Sequence, residues 1–144
     1  MLVKPHFAQA PNRQPSRVFA DCARLEVGNY PLEIDVMLYE LRIYHCLPGR
    51  LPALLNRFEN TTLAIWERLG IRQAGFWTTW VGESNHDLYY LLEWQSLAQR
   101  DEKWLVFQAD AEWIEKRAAS EADGPIVATI SNQILAPTAF SSVK

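Results

Sequence analysis

Residues 86–95 read His-Asp-Leu-Tyr-Tyr-Leu-Leu-Glu-Trp-Gln, and no other stretch restricts the fold as tightly. In an extended chain successive side chains point to opposite faces, so Leu88, Tyr90, Leu92 and Trp94 share one side and Tyr89 and Leu91 the other. A strand in a one-sided antiparallel sheet alternates apolar with polar residues. This one is apolar on both faces and has to be covered twice.

The rest of the chain supplies one cover. Residues 37–46 alternate as a strand, with Tyr39, Leu41 and Ile43 on one face and Glu40 and Arg42 on the other. Pro48 and Gly49 break the chain into a turn. Leu51, Leu54, Leu55, Phe58, Ile65, Trp66 and Leu69 then form the apolar stripe of an amphipathic helix of about five turns, and Gly70 stands at its C-cap position. Residues 71–82 are rich in aromatic and β-branched types and read as a second strand, with a hairpin turn over Gly82 to Asn85. After the third strand (86–95), Ser96 and Asp110 are placed to cap two helical segments. Those segments carry Leu97, Trp104, Phe107, Trp113 and Ile114, and Gly124-Pro125 ends the second. Residues 126–135 read as the last strand, with Ile126, Ala128, Ile130 and Ile134 facing one way.

The order β-α-β-β-α-β is the ferredoxin-like arrangement, an α+β fold with two helices across one face of a four-stranded antiparallel sheet. The other face is left with Tyr89, Leu91 and their neighbours. Four large residues uncovered there expose roughly 600 Å², at the upper end for a monomer. Burying that area is worth up to about 15 kcal/mol, against an association cost of about 4–15 kcal/mol. A homodimer through the sheet face is the expected partner of this surface; the alternative is that the N-terminal segment covers it.

That segment differs in composition. The 144-residue chain is 49% hydrophobic and 12% aromatic, with six Trp, yet residues 1–36 hold four of the eight Pro and no Trp. Residues 1–20 contain Lys4, Arg13 and Arg17, no acid and no apolar core of the signal-peptide kind. Residues 1–36 are expected to be a disordered extension, or to lie upstream of a functional start at Met37, and residues 37–144 to form the domain. The composition excludes disordered, collagen-like and coiled-coil classes. A net charge of −3 and a pI near 5.6 argue against a nucleic-acid partner. No apolar run is long enough for a membrane span. Cys22 and Cys46 form no CxxC pair or Cys/His cluster, so neither a disulfide framework nor a metal site is expected. They read as buried free thiols of a cytoplasmic protein.

No standard catalytic or nucleotide-binding signature occurs in the chain, and no cofactor is called for. The candidate residues are therefore individual. His45 and His86 sit at strand ends, where a His can transfer protons, although a hydrogen-bonded strand-end residue is the plainer reading. Glu40 and Arg42 share a face and are expected to pair, because an unpaired buried charge is costly. Alternatively Arg42 holds a substrate carboxylate. Glu93 would join that cluster if its face agrees. Trp77, Trp94, Trp104 and Trp113 are core residues by spacing, or the lining of an apolar pocket. The expected ligand is a small apolar or aromatic acid. Catalysis, if present, is assigned to His45 and Tyr44, and ligand contacts to Arg42, Glu93, Trp77, Trp94 and Trp104.

Tyr39-Glu-Leu-Arg-Ile-Tyr44 followed by Pro48-Gly49 resembles the opening of the NIPSNAP family. The similarity continues through Gly75-Phe-Trp77, Gly82, Asn85, Glu93-Trp94, Arg100 and Asp110-Ala-Glu-Trp113; Ala111 departs from the proline common there. The resemblance covers about residues 38–135. It implies a dimeric α+β barrel, in which two ferredoxin-like sheets pack face to face. Eukaryotic members are associated with mitochondria and act as adaptors, and small bacterial members have no settled activity. Related barrels include cofactor-independent oxygenases and isomerases. The resemblance thus implies either a small-molecule binder with such chemistry or a non-catalytic interaction module.

Overall fold

The computed structural model describes residues 37–143. The expectations for residues 1–36, including Cys22, lie outside the described residues. Four strands, β1 (Leu38–Cys46), β2 (Arg72–Thr78), β3 (Asp87–Trp94) and β4 (Val127–Leu135), form one antiparallel sheet in the order β2-β3-β1-β4. Helices α1 (Leu51–Arg57), α2 (Leu63–Leu69), α3 (Leu97–Ala109) and α4 (Ala111–Ser120) fill the two crossovers. The fold is the α+β, ferredoxin-like one read from the strand and helix periodicities.

Local chemistry sets the element boundaries. Gly70 is left-handed at φ 67°, a conformation glycine adopts without steric cost. The Gly70 N–H bonds the Glu67 carbonyl and the Ile71 N–H the Trp66 carbonyl, which closes the helix end with two orphan acceptors satisfied. Ser96 Oγ accepts from Gln99 N at 3.1 Å and Asp110 Oδ1 from Trp113 N at 3.0 Å, so both expected caps are made.

Two expectations need correction. The single long helix over 51–69 is interrupted by one π turn, Phe58–Thr62, in which the Leu63 N–H reaches back to the Phe58 carbonyl. Thr62 Oγ1 donates to the Arg57 carbonyl there. The second strand stops at Thr78 rather than at Gly82. Ser84 Oγ donates to Asp87 Oδ1 and accepts from the His86 N–H, folding the connection into a loop. Trp80, inside the strand expected over 71–82, is instead 98% exposed at that loop.

The helices cover one face of the sheet. Leu88, Tyr90, Leu92 and Trp94 from β3 are buried there with Leu54, Ile65, Trp66 and Phe107. Phe58 stands at the centre of an aromatic cluster, its ring 5.3 Å from both Tyr90 and Phe76 and 5.6 Å from Trp66. Coverage fails toward β4. Ile130 and Ile134 lie opposite Tyr44 and Glu40 in register, on the helix side, and are about half exposed. That incomplete cover opens a cleft.

Candidate functional site

Glu40 projects from β1 into the helix-covered side and is fully buried. Its Oε1 accepts from Arg42 Nη1 at 2.7 Å, Arg100 Nη2 at 3.0 Å and Asn132 Nδ2 at 3.0 Å. Its Oε2 accepts from Trp94 Nε1 at 3.1 Å and Arg100 Nε at 3.2 Å. A buried carboxylate is tolerated only when charge and hydrogen bonds compensate its lost hydration. Burial pushes this carboxyl upward, but the bonds from Arg100, Asn132 and Arg42, with the Arg42 charge, outweigh it and hold the pKa at about 2.

Arg42, two residues on and on the same face, is also buried. Its Nε donates to Tyr90 Oη at 2.9 Å, and its guanidinium carbon lies 4.4 Å from the Trp104 ring centroid. Burial opposes its charge, while Tyr90, Tyr44 and Glu40 favour it and raise the pKa above the usual arginine value. Burial raises the Tyr90 phenol well above its ordinary value.

This network floors a cleft of about 600 Å³ between α3, α4 and β4. Tyr44, Trp104 and Trp113 supply aromatic lining; Arg57, Arg117 and Glu121 supply charge; Val127 and Ile130 supply the β4 side. Arg50 holds the segment after α4 in place, donating to both carboxylate oxygens of Asp123 at 2.8 and 2.9 Å and to the Gly124 carbonyl. Its clamp fixes the chain between the end of α4 and the start of β4, and so one rim of the cleft.

The structure sorts the residues picked from the sequence into two groups. Arg42, Tyr44 and Trp104 meet at the cleft. Trp94 supports it from behind through Glu40. Trp77, Glu93 and His45 do not join them, since each projects from the opposite face of the sheet. Glu93 pairs with Arg72 at 3.2 Å, its neighbour in the β2–β3 register, so it is not part of the Glu40–Arg42 cluster. Trp77 is 52% exposed, and its ring lies across Gly75, where an added Cβ would stand 2.7 Å from it. His45 Nδ1 lies 3.0 Å from Asp87 Oδ2 and its Nε2 3.2 Å from Ser131 Oγ. That is the plainer, hydrogen-bonded strand-end role, across the sheet from the cleft.

Sequence reasoning passed over Arg57, Arg117, Glu121 and Asn132. Asn132 was detectable in principle, as the one amide among the inward positions of the last strand. Arg100 bonds Glu40 and its own neighbour Asp101. Cys46 is free and buried, and burial raises its thiol pKa. Among the described residues no group of three His, Cys, Asp or Glu is placed to hold a metal ion, and no helix is long and apolar enough to cross a membrane.

Comparison with known proteins places this geometry. The NIPSNAP family model matches residues 39–142. An uncharacterized NIPSNAP-like domain protein from Burkholderia xenovorans is similar in structure, with a TM-score of 0.67 and 27% identity over 75% of this chain and 90% of that one. A NIPSNAP family protein of unknown function from Agrobacterium tumefaciens gives a TM-score of 0.67 and 26% identity, over 78% of this chain and 97% of that one. A Pseudomonas aeruginosa protein at 15% identity and a TM-score of 0.51, over 74% and 99% of the two chains, shares the fold alone. No curated protein matches the chain. The matched span takes in all four strands but for Leu38 of β1, with the Glu40 network and every residue lining the cleft, and the chain belongs to the NIPSNAP family.

Proposed function

We propose that this chain is a homodimeric, cytoplasmic small-molecule-binding protein that seats its ligand in the cleft between α3, α4 and β4. The observation that carries the reading is the cleft itself, about 600 Å³ with aromatic lining over a fixed charged floor. Ligand sites are usually clefts of roughly 300–1,000 Å³ with mostly apolar lining and a few placed polar groups. The Glu40 network makes this one pre-organised: Arg42 is held by Glu40, Tyr90 and Trp104 before any ligand arrives. A cofactor-independent oxygenase or isomerase is the enzymatic form of the same reading, with Tyr44 as the phenol at the cleft. His45 has no part in it, being on the other face.

Thermal-shift screening of the full chain against a small-metabolite library tests the proposal. Compounds that raise the melting temperature of the wild type should lose that effect in Trp104→Ala and keep it in Trp77→Ala. A library without stabilising compounds, or shifts indifferent to Trp104→Ala, would count against it.

A second reading, a non-catalytic interaction module, is favoured by Leu105 and Val106 on α3 and Ile114 on α4, all more than half exposed. An apolar helix surface of that kind suits a protein partner. In that case Leu105→Glu would abolish partner capture while leaving every ligand-induced shift unchanged.

A further inference from the structure

The charge distribution of the cleft specifies its ligand further, an inference that rests on the cleft being a small-molecule site. Three guanidinium groups, Arg42, Arg57 and Arg117, line it, against one carboxylate, Glu121. Glu40 lies beneath and is committed to Arg42 and Arg100. The lining therefore carries surplus positive charge beside aromatic rings.

Arg57 is the unusual member. It is 6% exposed, yet its Nε is buried with no hydrogen-bond partner among the described residues. Buried donors are nearly always paired, and a buried cation with an unused N–H is costly. Its Nη1 donates to Glu121 Oε1 at 2.9 Å and to Ser120 Oγ at 3.2 Å, and its guanidinium lies 5.7 Å from the Trp113 ring. Arg117 only approaches the same carboxylate, its Nε 3.9 Å from Glu121 Oε2. Arg57 is also the last residue before the π turn, and such turns recur at functional sites.

We propose that the cleft binds a planar aromatic carboxylate, whose carboxylate takes the place of Glu121 on Arg57 and Arg117 while its ring lies against Trp104 and Trp113. The arginine fork fits carboxylate and phosphate alike; the group already held there is a carboxylate, and that decides between them. Glu121 is the capping residue after α4 and its side chain is partly exposed, so it can turn to water without disturbing a helix. The displaced charge is rehydrated, and the Arg57 guanidinium, released from Glu121, turns its unpartnered Nε–H edge toward the incoming carboxylate.

The test follows the tryptophan indole and arginine Nε–H signals of the ¹⁵N-labelled full chain by NMR, with benzoate, benzamide and phenyl phosphate as probes. Benzoate should shift the Trp104, Trp113 and Arg57 signals and bind at least tenfold more tightly than benzamide. Glu121→Gln, which removes the internal competitor, should tighten benzoate several-fold; Arg57→Lys should weaken it at least tenfold. If Arg57→Lys fails to fold, Arg117→Gln replaces it with an expected loss of about threefold, since Arg117 is half exposed. Benzamide binding as well as benzoate would overturn the carboxylate assignment and leave the small-molecule reading standing. Phenyl phosphate binding tenfold more tightly than benzoate would overturn it in favour of a phosphate. Cleft signals that move with none of the probes overturn the assignment; if the metabolite library moves none either, the binding reading falls with it.

Discussion

Glu40 shows how much one side chain can organise when it is placed between elements. Its partners Trp94, Arg100 and Asn132 lie 54, 60 and 92 residues away in sequence, and only Arg42 is local. The local pair was legible because residues two apart on a strand share a face, so Glu40 and Arg42 had to meet. The distant partners depend on the β1–β4 register and on the seating of α3, and no spacing within the chain encodes those. The pKa of Glu40 gives the network a measurable signature. It falls from 4.5 to about 2 in the fold. A carboxylate with a depressed folded-state pKa stabilises fully above its unfolded value, and that contribution is lost as pH falls through the folded one. Stability should accordingly decline between pH 4.5 and about 2, by up to about 3 kcal/mol for this group. Asp110 and Asp123 are also held low, by the Trp113 backbone N–H and by Arg50. They titrate alike in wild type and Glu40→Gln, so the difference between the two urea-unfolding profiles isolates Glu40. Glu40→Gln should cost about 3 kcal/mol or more near neutrality, because it leaves Arg42 uncompensated, and the gap should close toward pH 2. A gap independent of pH would show that the carboxylate charge is not what the network needs.

At the scale of elements, what could be read was what local chemistry decides. Ser96 and Asp110 were recognisable caps because only a short side-chain oxygen before an apolar helix satisfies the first free N–H groups. Ser96→Ala should therefore cost about 1 kcal/mol in urea unfolding, with the binding cleft unaltered. A loss below a few tenths would mean that packing of α3 on the core, and not its cap, sets the helix start. The end of β2 was not recognisable, since Trp80 and Val81 have strand-like side chains, and the Ser84 bonds to Asp87 and His86 that shape the loop depend on how the chain turns back. The π turn was equally hidden. Phe58 and Ile65 are seven apart, which fits an unbroken α-helix, and the extra residue shows only in where the carbonyl bonds go. That turn follows Arg57 directly, so the residue of the cleft least visible in the sequence adjoins the helix irregularity least visible in it.

At the scale of the molecule, the two-faced character of β3 is half resolved. Its inward face, Leu88 to Trp94, is buried by the helices, while Tyr89 and Leu91 remain partly open on the reverse. Leu41 and Ile43 of β1 stand beside them, paired in register, and Trp77 of β2 lies opposite Tyr89. The Trp77 ring lies across Gly75, where an added Cβ would stand 2.7 Å from it, and so requires glycine at that position. Burying a surface of this breadth is worth up to about 15 kcal/mol, and an association cost in the lower half of the roughly 4–15 kcal/mol range leaves about 7 kcal/mol, so a second copy packing sheet to sheet is expected to hold at micromolar concentration. Leu91 is the position to test, since it is paired with Leu41 on one side and Gly75 on the other, at the middle of the patch. Leu91→Asp would bury one unpaired carboxylate from each copy in the interface, a penalty well above the net association energy. The full-length wild type should sediment as a dimer at 10–50 μM (a range set by roughly −7 kcal/mol of net association), and Leu91→Asp as a folded monomer with its near-ultraviolet tryptophan signal retained. A wild type that sediments as a monomer across that range would mean that the open face is covered from within the chain, and the face-to-face pairing would have to be abandoned.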